Sequence, residues 1–125
     1  MAHFILEYST NLTADELDVG KLLAEIVQCA VDTGIFPQAG CRARAHPCED
    51  YYIADGNDAH AFVHLQVKLG AGRSTEEKDK AQTALVDMLD RYFKQVGQTR
   101  GLAISFELTE LPSHKSNVNN IREYL

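Results

Sequence analysis

Several things this chain lacks narrow its class before anything it contains is considered. It has three cysteines in 125 residues, Cys29, Cys41 and Cys48, and no Cys-x-x-Cys pair. An odd count without a framework excludes a disulfide scaffold and fits a reduced, cytoplasmic protein. No apolar run approaches the length of a membrane span, and MAHFILEYST has neither the basic start nor the long apolar centre of a signal peptide. There is no basic run, no RNA-binding aromatic motif and no zinc-finger spacing. With a formal net charge of −6, the expectation is no nucleic-acid partner and no membrane partner. No Gly-x-Ser-x-Gly elbow occurs, and Gly70-Ala71-Gly72-Arg73-Ser74 lacks the lysine and spacing of a P-loop. His60 and His64 stand four apart and share a strand face, but no third ligand accompanies them, so no metal site is expected.

What is present suits one soluble domain. The composition is 45% hydrophobic and 24% charged, enough to bury a core. Residues 3–8 read as a strand with Phe4, Leu6 and Tyr8 on one face. Thr13 and Glu16 form a capping-box pair, which predicts a helix start at Thr13. Leu22, Leu23, Ile26, Val27 and Ala30 recur at helical spacing, and Gly34 follows as a C′ residue. A second strand runs from Cys41 to about His46, and Pro47 to Tyr52 reads as irregular or as a bulged continuation. Asp55-Gly56-Asn57-Asp58 reads as a turn at the tip of a hairpin. The third strand places Ala61, Val63, Leu65, Val67 and Leu69 on one face. Gly70 to Arg73 turns directly into a helix capped by Ser74 and Glu77, whose apolar positions continue through Tyr92, Phe93 and Val96. Leu102, Ile104, Phe106 and Leu108 alternate as the fourth strand.

The pattern is strand–helix–strand twice over, with pseudo-repeat halves at about 1–57 and 58–112 and a polar tail at 113–125. The fold class expected is α/β, an α+β sandwich with two βαβ units, a four-stranded sheet and both helices on one face. Pattern alone does not separate this from a ferredoxin-like split βαβ arrangement. The bare sheet face needs a cover, which a trimer or dimer would supply. The tail reads as frayed or packed on a neighbouring subunit.

Two features point to anion binding. Arg73 stands immediately before a helix N-terminus, where free N–H groups and the helix dipole favour a carboxylate or phosphate. The same residues are compatible with a solvated loop, because glycines are common turn chemistry. Arg42 and Arg44 share one strand face, and two like charges there repel unless solvent or an anion lies between them.

The chain resembles the tautomerase superfamily over nearly its whole length. The stretch from Phe62 to Pro112 is similar to 4-oxalocrotonate tautomerase. The whole is similar to the 5-carboxymethyl-2-hydroxymuconate isomerase family through His3-Phe4-Ile5, Thr33-Gly34-Ile35-Phe36-Pro37, Ala39-Gly40, Arg42 with Arg44, Ala54-Asp55-Gly56, Ala61-Phe62-Val63-His64, Gly70-Ala71-Gly72-Arg73-Ser74 and Ser105-Phe106-Glu107. The resemblance implies a tautomerase-like fold, a homotrimer and a cofactor-free 1,3-proton shift on a carboxylated hydroxymuconate-type substrate in aromatic catabolism. It implies an N-terminal amine as general base, with Arg42 and Arg73 (and Arg44 beside them) binding carboxylate and polarising a carbonyl. Where the family has an N-terminal proline this chain has Ala2. Once Met1 is removed, position 2 offers a primary amine, which titrates near enough to neutrality for a fraction to be free base at pH 7. The departure leaves open an alternative, a catalytically impaired, carboxylate-binding protein of the same fold. A third reading keeps an enzyme but changes the reaction to decarboxylation or dehalogenation.

Overall fold

The computed structural model describes residues 1–125. Four strands, β1 (Ala2–Ser9), β2 (Cys41–Cys48), β3 (Ala61–Leu69) and β4 (Leu102–Glu110), form one sheet in the order β2-β1-β3-β4. β1 runs parallel to β2 and antiparallel to β3, and β3 runs parallel to β4. Helix α1 (Val19–Asp32) joins β1 to β2, and α2 (Thr75–Tyr92) joins β3 to β4. Each helix therefore crosses between adjacent, hydrogen-bonded strands. This settles the topology in favour of two side-by-side βαβ units over the split arrangement.

The core lies between one sheet face and both helices. Phe4, Leu6, Val63, Leu65 and Val67 from the central strands meet Leu22 and Ile26 of α1 and Leu85 and Leu89 of α2, all fully buried in one cluster. Each such side chain stabilises the fold by about 1.5–3 kcal/mol. The period-two pattern of β3 is reproduced residue for residue, its odd positions buried and its even ones half-buried. On the helix-free face the register sets Arg42, Arg44 and His46 of β2 beside His3, Ile5 and Glu7 of β1. His64, Gln66 and Lys68 of β3 follow, then Ser105, Glu107 and Thr109 of β4.

Three expectations are corrected, and one left open is decided. The segment after β2 is not a hairpin tip, because β1 lies between β2 and β3 and the chain from residue 49 to residue 60 must cross its end. Thr13 and Glu16 do make the reciprocal bonds of a capping box, at 3.0 and 3.3 Å. They close only a turn, however, and α1 starts later, with Asp18 accepting from the Lys21 N–H at 3.2 Å. Helix α2 stops at Tyr92, and a short helix α3 (Val96–Thr99) carries Val96 into the core. β2 runs past Pro47 to Cys48, which an edge strand tolerates because proline's missing N–H can face outward.

Candidate active site

The antiparallel pairing of β1 and β3 sets Ala2 opposite Leu69. The start of the chain therefore meets the turn that leaves β3, and the Gly70 N–H donates to the Met1 carbonyl at 3.2 Å. On the other side of β1, Ala2 pairs with Cys41, just after a 3-10 turn over Gln38–Gly40. A Cβ at Gly40 would lie 3.3 Å from the Met1 nitrogen, so glycine is what lets the N-terminus come this close. The Ala2 side chain itself faces the core, 4% exposed.

Arg73 belongs to the same end. Gly72 has φ +112°, which lets the turn reverse sharply before α2. The expected capping box is formed, with the Glu77 N–H donating to Ser74 Oγ at 3.1 Å and the Ser74 N–H donating to Glu77 Oε1 at 3.0 Å. That backbone bond, with the Arg73 charge as a smaller contribution, holds the Glu77 carboxyl below its ordinary range. Arg73 donates to the Gly70 carbonyl at 3.3 Å and to the Ile35 carbonyl at 3.2 Å. Both partners are neutral, so no carboxylate bonds this guanidinium.

Arg42 sits one strand over. One of its terminal nitrogens donates to Asn117 Oδ1 at 2.8 Å; the other is buried without a partner. Arg44 turns elsewhere, with Nη1 3.1 Å from His3 Nδ1. Burial first, then the charges of Arg44, Arg42 and Lys68, push the His3 imidazole below its ordinary pKa. A neutral ring leaves Nδ1 free to accept from Arg44. Burial pushes the Cys41 thiol up, and its Sγ donates to the Pro37 carbonyl at 3.4 Å.

A cleft of about 380 Å³ opens at this end, walled by Met1, Pro37 and Gly40 on one side and by Asn117, Asn119 and Arg122 of the tail on the other. None of Arg42, Arg44 and Arg73 forms its wall. Arg42 joins it through Asn117, and Arg73 through Gly70 and Met1. The tail was the part the sequence reading missed. It folds back over the start of its own chain, with Asn119 Nδ2 donating to the Ala39 carbonyl at 2.7 Å. Three asparagines in four residues, Asn117 to Asn120, were the available signal: short amides capture backbone groups. His60 and His64 do not share a site. His60 pairs with Asp55 at 2.9 Å, while His64 lies 2.6 Å from Ser105 Oγ and 3.4 Å from Glu107.

An N-terminus clasped between a Gly-Arg turn and a neighbouring strand, on two βαβ units, defines a protein of the tautomerase fold. Comparison with known proteins narrows this. The family model for 5-carboxymethyl-2-hydroxymuconate isomerase matches residues 2–125, and the chain belongs to that family. It is 39% identical over 122 residues to the 5-carboxymethyl-2-hydroxymuconate Delta-isomerase of Escherichia coli, covering 97% of this chain and 96% of that one. It superposes on a 5-carboxymethyl-2-hydroxymuconate isomerase from Deinococcus radiodurans R1 with TM-score 0.91 and 35% identity, over 98% of this chain and 92% of the other. A fused 4-OT symmetric trimer shares the fold alone, at TM-score 0.66 and 16% identity over 93% of each chain.

Proposed function

We propose that this protein is a 5-carboxymethyl-2-hydroxymuconate isomerase that makes a 1,3-proton shift on a carboxylated dienol or keto acid, without a cofactor. The isomerase names of two relatives that match it nearly end to end support this over an impaired binding protein. The observation that carries the site assignment is the meeting of the β1 start with the Gly70–Arg73 turn. Excision of Met1 turns the Ala2 nitrogen into an α-amine and also frees the Gly70 N–H that the Met1 carbonyl occupies. The amine takes a proton from the enol oxygen, or from the carbon beside the ketone in the keto form, leaving a dienolate, and returns it two atoms along, so it ends the cycle unchanged. Arg73, bonded only to neutral carbonyls, keeps its charge for a substrate carboxylate or for the dienolate that forms as the proton leaves. Arg42 offers its unpartnered nitrogen to a second carboxylate. Arg44 acts at one remove, fixing His3 beside Arg42.

We further infer a homotrimer, in which two other copies cover the helix-free face. That face carries Ile5, 8% exposed but outside the core cluster, among charged neighbours. The three free cysteines and the absence of any helix long and apolar enough to cross a membrane are consistent with a cytoplasmic setting. The test is a spectrophotometric isomerisation assay on protein whose first residue is fixed by intact mass. Turnover with Ala2 exposed, lost when Met1 is kept, is the expected result, because retention moves the amine by roughly 3.5 Å. Absence of turnover with Ala2 exposed removes the reading.

A further inference from the structure

We propose that Arg122 is a specificity-determining carboxylate binder, reading the carboxymethyl arm of the substrate; this rests on the function proposed above. That substrate carries three carboxylates, two from the muconate and one from the carboxymethyl group. Arg73 and Arg42 account for two. Arg44 is committed to His3. The cleft at the N-terminus has one cationic side chain in its wall, Arg122, and its guanidinium makes no hydrogen bond or ion pair within the chain.

Arg122 is held in place by the tail's own bonding. Asn117 is fastened to Arg42 at 2.8 Å and Asn119 to the Ala39 carbonyl at 2.7 Å. Asn119 Oδ1 then accepts from the Ile121 N–H at 2.9 Å, which starts the 3-10 turn Ile121–Tyr124 that presents Arg122. The fastening runs through Arg42 itself, whose second terminal nitrogen is buried and unbonded. A substrate entering this cleft thus meets the start of β1 on one side and the Arg122 guanidinium on the other, with Arg42 behind Asn117. Glu123 also lines the cleft; its carboxylate repels an anion, so the cation beside it is needed for a third carboxylate to settle there. A planar guanidinium binds a carboxylate through two parallel bonds, which a lysine does only in part.

The experiment compares two substrates, 5-carboxymethyl-2-hydroxymuconate and 2-hydroxymuconate, which lacks the arm, on wild-type protein with Ala2 exposed and on Arg122→Gln and Arg122→Lys. Arg122→Gln is expected to raise KM for the tricarboxylate about 10-fold with kcat within twofold, to leave KM for 2-hydroxymuconate unchanged, and to be partly restored in Arg122→Lys. Unchanged KM for both substrates, or an equal rise for both, overturns the assignment while leaving the proposed isomerase intact. A wild-type protein inactive on both substrates overturns the two together.

Discussion

The two ends of the sheet make the same materials do opposite things. Each end has an arginine, a capping box and a glycine against which a neighbour packs. At the end where β1 finishes, Arg100 donates from Nε to the Ala59 carbonyl at 2.7 Å. Its Nη1 donates to the Asn11 carbonyl at 3.1 Å and to Glu16 Oε1 at 2.8 Å. Asn11 adds a bond to the His60 carbonyl at 2.6 Å, and a side chain at Gly101 would run into the His60 ring. Arg100 and Glu16 are only 13% and 19% exposed. The charge is neutralised inside the fold, so the arginine of this end is closed to an anion. At the other end Arg73 has two carbonyls and no bonded carboxylate, Arg42 has a buried nitrogen with no partner, and a cleft remains. An arginine whose charge is cancelled internally holds a fold together, whereas one solvated only by neutral groups remains available to an anion.

The largest effect expected from breaking this contrast is at the closed end. Arg100→Met leaves the Glu16 carboxylate and two carbonyls without their donor, and should cost about 2–3 kcal/mol in denaturant unfolding. Turnover per folded molecule should stay within twofold. A stability loss near zero would mean that the Arg100 network is ornamental. Arg73→Ala should do the reverse. Turnover of the carboxylated dienol should fall at least about 10-fold, some 1.4 kcal/mol of transition-state stabilisation, with little change in the unfolding midpoint. A loss under about twofold would take Arg73 out of the site.

A smaller test concerns the two capping boxes. Both were readable as Thr13 with Glu16 and Ser74 with Glu77, and both form their reciprocal bonds. Only the second starts a helix. Ser74→Ala should therefore destabilise by about 1 kcal/mol. Thr13→Ala, which loses a 3.3 Å bond in a turn, should cost about half that. Equal losses would mean that the Thr13 turn does as much for α1 as the Ser74 cap does for α2.

That pair of boxes also marks where the sequence was legible. β3 was read correctly because period two in Ala61 to Leu69 records burial on one face only. The Gly70–Ser74 turn was legible because glycine, arginine and an N-cap residue each answer a local requirement. The hairpin was misread because strand order is a non-local property: nothing in Asp55 to Asp58 says that β1 will lie between β2 and β3. The tail was missed for a related reason. Its residues are all exposed or nearly so, so they leave no apolar period. Their contacts, Asn117 to Arg42 and Asn119 to Ala39, span 75 and 80 residues.

The finest distinction between the ends is in acid. Glu16 and Glu77 both have folded pKa values held below the ordinary carboxylate range, Glu16 chiefly by the Thr13 N–H and Glu77 chiefly by the Ser74 N–H. A carboxyl depressed in the folded state binds fewer protons there than in the unfolded chain. Its contribution is therefore complete above the ordinary carboxylate range and is lost as pH falls through the folded value. The difference lies in the second partner, since only Glu16 is also bonded to an arginine, in a partly buried pair that salt screens little. Glu16→Gln should therefore flatten the acid limb of a stability-against-pH curve more than Glu77→Gln, and the gap should survive in high salt. If the two variants gave superimposable acid limbs, the Arg100 pair would add nothing to what the backbone bond already does, and the closed end would owe its stability to the carbonyls alone.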